Sequence, residues 1–279
     1  MSADRPGDRR PDDRRDGDRR AGAGPGDLPT GAGPGDLPTG NEKRAMVRAM
    51  FDTIAPRYDL VNKLMTFGLD VVWRRRTVSG LGLSAGALVL DLACGTGDLC
   101  RLLAARQLRP IGVDLSAGML AAARGAAPLA QADGAALPLP DASVDGVTCG
   151  FALRNFADLP AVLGELGRVV RPGGRIALLD VSEPTNRLLR AGHAFWFRHG
   201  APAIGSLLSD PGAYRYLPRS VAYLPPPAQL QALIRHAGFS SVNRRVLGGG
   251  AVQLLTATRA GLPPSATRAG LPPSAKRCR

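Results

Sequence analysis

From residue 87 onward, short apolar runs alternate with segments whose apolar residues recur at helical spacing. The runs predict strands at 87–91, 110–114, 129–132, 146–150, 175–181, 241–247 and 252–258. Helices are predicted between them at 98–105, 116–124, 159–170 and 227–237. Three helical segments precede the first strand, at 44–53, 60–67 and 71–79, and a helical insertion occupies roughly 186–217. Strands alternating with helices predict an α/β fold with a doubly wound sheet, here seven-stranded, with helical N-terminal and insertion segments. A ligand of such a sheet belongs at the carboxyl ends of its strands, near the switch point. Asp91, Asp114, Asp133 and Gly150 all fall at such ends.

The flanks read differently. Residues 22–30 (GAGPGDLPT) recur at once as 31–39, and residues 258–266 (TRAGLPPSA) recur as 267–275. Segments this rich in Pro and Gly cannot bury a core, so residues 1–40 and 258–279 are expected to be disordered tails around one domain at 41–257. The last tail carries Arg259, Arg268, Lys276, Arg277 and Arg279 without an acid, and so supplies part of the net charge of +13. No helix-turn-helix, zinc finger or aromatic stacking motif accompanies that charge, which argues against nucleic acid and for contact with anionic lipid. No run of 18 apolar residues predicts a spanning helix, and the Asp/Arg alternation of residues 1–20 is not a secretory signal. The expectation is a cytoplasmic protein with peripheral contact at the inner face of the membrane; a homodimer stays open. Cys94, Cys100, Cys149 and Cys278 have the spacing of neither a zinc site nor a disulfide framework, so no metal is expected.

The chemistry concentrates at the first strand end. Val89-Leu90-Asp91-Leu92-Ala93-Cys94-Gly95-Thr96-Gly97-Asp98 reads as a buried strand, a tight loop and a helix start. Gly95 and Gly97 let a ligand approach the backbone. Asp114, about 20 residues on at the next strand end, suits the two hydroxyls of a ribose. A dinucleotide site would show G-x-G-x-x-G, and a pyrophosphate would be repelled by Asp98. Asp91 and Asp98 suit a ligand with a positive end, such as the ammonium and sulfonium of S-adenosylmethionine. The loop, with Gly95, Thr96 and Gly97 at its centre, resembles motif I of class I methyltransferases. Asp133 and Gly134 after the third strand can read an adenine amine and ring nitrogen; an ordinary Asp-Gly turn is the competing reading. Gly150 ends the fourth strand, beside Phe151-Ala152-Leu153-Arg154-Asn155-Phe156, where methyl donor and acceptor meet in such enzymes.

Further motifs are more specific. Phe51-Asp52-Thr53-Ile54-Ala55-Pro56-Arg57-Tyr58-Asp59 with Asn62, then Leu153-Arg154-Asn155, Asp180-Val181-Ser182-Glu183-Pro184 and Tyr214-Arg215-Tyr216-Leu217-Pro218 join the glycine loop. Together they resemble the ubiquinone/menaquinone biosynthesis C-methyltransferase family over roughly residues 46–255. The resemblance implies C-methylation of a prenylated naphthoquinol, demethylmenaquinol to menaquinol, with S-adenosyl-L-methionine as donor. For that chemistry Arg154 is the candidate to stabilise a quinolate, and Asn155, Tyr58 and Asn62 are candidates to orient its hydroxyls. The insertion, with Leu188-Leu189 and Phe195-Trp196-Phe197 among Arg190, Arg198 and His199, reads either as an interfacial segment or as a lid packed on the domain. The sequence departs from the family at Gly150, where serine is usual, at Gly248 to Gly250, and in the proline run 225–227. Another lipophilic acceptor, such as a polyketide or sterol, and a non-catalytic S-adenosylmethionine-binding subunit are the alternative readings.

Overall fold

A computed structural model describes residues 38–200, 216 and 219–261. The terminal repeats and much of the insertion lie outside the described residues. Seven strands form one sheet: β1 (Leu88–Leu92), β2 (Arg109–Asp114), β3 (Leu129–Gln131), β4 (Val144–Gly150), β5 (Val170–Val181), β6 (Phe239–Leu247) and β7 (Val252–Arg259). Their order is β3-β2-β1-β4-β5-β7-β6. The first five strands are parallel, and β7 inserts antiparallel between β5 and β6. From β1 the chain winds outward through β2 and β3, then returns to β4 on the other side of β1. The crevice at that reversal is where such sheets bind ligands.

The helices are α1 (Gly40–Ile54), α2 (Tyr58–Met65), α3 (Leu69–Leu81), α4 (Asp98–Ala104), α5 (Ala117–Ala122), α6 (Leu159–Val169), α7 (Arg187–Phe195) and α8 (Pro227–His236). Alternation along β1 divides the core. Leu90 and Leu92 face one layer with Val147, Cys149, Val162, Leu163, Leu230 and Ile234. Val89 faces the other, with Trp73, Val78 and Leu81 of α3 and Leu99 and Leu103 of α4. A third cluster packs Val47, Met50, Ile54 and Val61 of the N-terminal helices on Met119 of α5. On α1 the buried positions are Lys43, Val47, Met50 and Ile54, one face at helical spacing.

Every predicted strand is present, with bounds that shift for local reasons. β5 starts at Val170 rather than Arg175, because Val170 already pairs with Val144 before the Pro-Gly-Gly excursion interrupts the register. α5 stops at Ala122, two residues early, where Ala123 turns extended and the Arg124 amide bonds the Thr96 carbonyl. α6 begins where the sequence carries stop-and-start chemistry: Asp158 accepts from the Ala161 amide, with a proline in the first turn. The proline run that departs from the family pattern likewise opens a helix, with Pro226 as the N-cap of α8.

Candidate active site

The loop after β1 is built from left-handed backbone at Ala93 (φ 54°), Gly95 (φ 55°) and Gly97 (φ 84°). At Gly97 a Cβ would lie 3.1 Å from the Arg124 carbonyl oxygen, so the residue is glycine for packing as well as conformation. Asp114 reaches across from β2. Its Oδ2 accepts from the Gly95 amide at 2.8 Å and its Oδ1 from the Ser116 amide at 2.9 Å. Burial pushes its carboxyl upward against those bonds. Two amides thus fix both oxygens and leave further lone pairs for a ligand.

In front of this carboxylate lies a cavity of roughly 320 Å³. Gly95, Asp114, Asp133, Gly134, Gly150, Asn155 and Tyr58 all line it. Asp133 holds the Ala135 amide through Oδ1 and an ion pair with Arg44 through Oδ2, at 3.0 Å each. Asn155 is buried; its Oδ1 accepts from the Tyr216 hydroxyl at 3.3 Å.

Asp91, Thr96 and Gly97 do not line the cavity. Asp91 is wholly buried, accepting from the Thr148 hydroxyl at 2.8 Å and the Cys100 thiol at 3.5 Å. Burial raises its pKa to about 7. Thr96 donates to Asp59 Oδ1 at 2.5 Å and so ties α2 to the loop. Asp98 forms ion pairs with Arg101 and Arg74. Neither Asp91 nor Asp98 lines the cavity in front of Asp114. One carboxylate lies on the α4 side of the sheet and the other has protein counterions.

Helix α1 closes the cavity, a role that its apolar periodicity alone does not announce. Gly40, Asn41, Arg44, Val47, Arg48 and Phe51 form one wall. The helix is anchored at two places. Asp52 Oδ1 accepts from the Ser116 hydroxyl at 2.6 Å and the Gly118 amide at 2.8 Å. Lys43 donates to the carbonyls of Arg154 (2.9 Å) and Phe156 (2.7 Å), with its ammonium 3.5 Å from the Tyr223 ring centroid. Burial lowers the Lys43 pKa to about 8. A lysine in the row Lys43, Val47, Met50, Ile54 was the available signal, because a cation on an apolar face needs a partner.

A second cavity, roughly 210 Å³, adjoins the first. Phe51, Tyr58 and Phe151 belong to both walls. Phe151 is an aromatic residue at φ 63°, a strained position at a strand end. Its ring meets Trp73 edge-on at 6.3 Å and the Arg74 guanidinium at 5.6 Å. The second cavity is otherwise mostly apolar: Met50, Ile54, Met65, Phe67, Leu69, Trp73, Val181, Trp196 and Val252. Its polar groups are Tyr58, Asn62, Thr66 and Arg154. The Tyr58 hydroxyl has no hydrogen bond among the described residues, and burial pushes its pKa up.

Arg154 lines this cavity and not the first one. It is buried and pairs with the buried carboxylate of Asp180. It also donates to the Phe151 carbonyl (2.8 Å) and the Ser220 hydroxyl (3.1 Å). Asp180 offsets the charge of Arg154, which presents a fixed set of donors. The insertion contributes through Trp196, whose indole donates to the Met65 carbonyl at 3.2 Å and whose ring lies 4.8 Å from Phe67. Among the described residues no cluster of His, Cys, Asp or Glu could hold a metal, and no helix is long and apolar enough to cross a membrane.

The chain resembles several solved methyltransferases in fold. A SAM-dependent methyltransferase from Aquifex aeolicus matches with a TM-score of 0.52 at 18% identity, covering 72% of this chain and 98% of that one. The Haemonchus contortus phosphoethanolamine N-methyltransferase 2 matches with a TM-score of 0.55 at 15% identity, covering 77% and 60%. Sequence relatives are nearer. The demethylmenaquinone methyltransferase of Thermus thermophilus is 44% identical over 68% of this chain and 91% of its own length. The ubiquinone/menaquinone biosynthesis C-methyltransferase UbiE of Syntrophotalea carbinolica is 41% identical over 76% and 94%. Residues 39–259 match the profile described as the ubiE/COQ5 methyltransferase family. With that match spanning the glycine loop, both cavities and the whole sheet, the chain belongs to the ubiE/COQ5 methyltransferase family.

Proposed function

We propose that this protein methylates a ring carbon of a prenylated naphthoquinol, demethylmenaquinol to menaquinol, with S-adenosyl-L-methionine as donor. One observation carries the reading: a cavity ending in an oriented carboxylate adjoins a second, more apolar cavity holding a buried guanidinium, with Tyr58 and Phe151 at their seam. The residues of the first cavity fit the donor. Asp114 is preset by two amides to accept from a diol, and Asp133 and the Gly134 backbone stand where an adenine edge belongs. A Cβ at Gly134 would fall 3.2 Å from the Phe156 ring and 3.3 Å from Leu92. When bound, the donor supplies a methyl group on a cationic sulfur.

The chain's own residues do the rest. The apolar wall receives the fused ring and the start of the prenyl chain and excludes water. Arg154 donates to a quinol oxygen, and a fixed donor favours the ionised form, which raises electron density on the neighbouring carbon. Asp180 keeps the guanidinium plane in place. Tyr58 and Asn62 are free to orient the acceptor oxygens. Asn155, held by Tyr216, acts from the donor side.

The same reading extends to the membrane. Phe67, Leu188 and Phe195 are 71%, 81% and 68% exposed, and Lys63, Arg187 and Arg190 are exposed beside them in the chain. Phe67 also lines the apolar cavity. An apolar rim with nearby cations suits the surface of an anionic bilayer in which the prenyl tail resides. Sedimentation with vesicles containing phosphatidylglycerol should carry down the wild-type protein and release Leu188→Ser/Phe195→Ser; equal binding of the two would remove the membrane part. For the reaction itself, the purified protein should transfer one methyl from S-adenosylmethionine to a short-chain demethylmenaquinol. Transfer to a polyketide or sterol but not to the quinol would overturn the acceptor.

A further inference from the structure

We infer that Thr66 selects the reduced form of the acceptor, accepting a hydrogen bond from a quinol hydroxyl that an oxidised quinone cannot supply. The inference rests on the proposed naphthoquinol acceptor and adds to it a reading of redox state. Thr66 lines the apolar cavity at the end of α2. Its single hydroxyl proton faces three acceptors within the protein. These are the Asn62 carbonyl at 2.8 Å, Asp70 Oδ1 at 2.9 Å and, more weakly, the Lys63 carbonyl at 3.4 Å. Asp70 is buried and ion-paired with Arg74, which also pairs with Asp98. A carboxylate in that setting only accepts. Whichever of the three receives the proton, Thr66 has none left for the cavity. Its remaining lone pairs can only accept.

The other polar groups of the cavity differ. Arg154 only donates, whereas the Tyr58 hydroxyl and the Asn62 amide can each do either. A hydroquinone monoanion offers one acceptor oxygen and one O–H donor, and so matches a donor at Arg154 and an acceptor at Thr66. A quinone offers two carbonyl oxygens. Its second oxygen, set against Thr66, would meet lone pairs and find no donor there, so the bond that the quinol makes is lost. Selection of this kind keeps the inert oxidised ring out of a site that can act only on the electron-rich one.

The test uses the full-length protein saturated with S-adenosylhomocysteine. Affinity is measured by calorimetry for one short-chain demethylmenaquinone, once as the quinone and once anaerobically as the quinol. The wild type should prefer the quinol by about tenfold. Thr66→Val, which keeps the shape and removes the hydroxyl, should lower quinol affinity by about five- to tenfold and leave quinone affinity unchanged. Thr66→Ser should retain the preference, and guards against a loss that comes from repacking. A wild type without preference, or a Thr66→Val protein that keeps the preference or loses both ligands equally, overturns the inference. Methyl transfer by the same wild-type preparation separates the two levels. With transfer intact, those outcomes remove only the role of Thr66. With neither binding nor transfer, the naphthoquinol reading falls and takes this inference with it.

Discussion

Truncating Arg154 removes more than a catalytic donor, because the Asp180 carboxylate behind it is wholly buried. The guanidinium pairs with Asp180 and also satisfies the Phe151 carbonyl and the Ser220 hydroxyl. Deleting one partner of a buried pair and leaving the other charge uncompensated costs about 3–5 kcal/mol. For a folded region of this size that lowers the melting temperature by about 2–4 °C per kcal/mol, or about 6–20 °C in all. Asp180→Ala alone should cost a similar amount, since it strands the guanidinium. The double variant Arg154→Ala/Asp180→Ala leaves no unpaired charge, so its cost should fall well below the sum of the single costs. Urea unfolding of all four proteins gives the coupling energy directly, and about 2 kcal/mol or more is expected. Additivity within about 0.5 kcal/mol would refute the pairing. Turnover provides a second readout. The double variant should stay slow, by roughly 10²–10³ in rate, because part of its stability returns but its donor does not.

Other expectations follow from the same geometry. Asp114→Ala should weaken S-adenosylmethionine by about 1–3 kcal/mol in calorimetry while the protein stays folded; unchanged affinity would end the ribose assignment. Asp91 has its pKa raised in the fold to about 7 from 3.8, so its contribution to stability is present below pH 4 and lost as pH rises toward 7. Asp91→Asn should flatten that part of the stability–pH curve, and an unchanged curve would contradict the assignment. Lys43 is shifted down, from 10.5 to about 8, so the unfolded chain binds more protons between those values. Stability from this group should therefore climb from pH 8 to 10.5, and Lys43→Met should abolish the climb. A chain limited to residues 38–261 should keep the melting temperature and turnover of the full protein.

The sheet was legible because buried strands of a doubly wound fold read as short apolar runs with an acid or glycine at the end. Asp91, Asp114 and Gly150 marked three strand ends that the structure brings to one crevice. The lining role of Asp114, Asp133 and Gly134 followed from that rule. What stayed hidden is long-range. Arg154 and Asp180 are 26 positions apart, and nothing local in either motif announces that they neutralise each other. Asp91 and Asp98 looked alike as acids flanking a glycine loop, yet strand alternation buries the first on the α4 side and Arg74 and Arg101 occupy the second. Helix α1 was read as a helix but not as a cavity wall. Its placement depends on Asp52 reaching Ser116 and Gly118, contacts that periodicity cannot encode. The Asp70–Arg74 pair at i, i+4 was readable in principle, but its connection to Thr66 and the second cavity was not.

Two adjoining cavities are proposed to bring a methyl donor to a ring carbon of a naphthoquinol. A single-turnover experiment tests it most directly. Purified protein is mixed anaerobically with methyl-labelled S-adenosylmethionine and short-chain demethylmenaquinol, and the product is examined by mass spectrometry and by position of the label. One labelled methyl is expected on the quinone-ring carbon, and Arg154→Ala/Asp180→Ala should form that product roughly 10²–10³ more slowly. Label on a quinol oxygen, or no label in a preparation that binds both ligands, would contradict it.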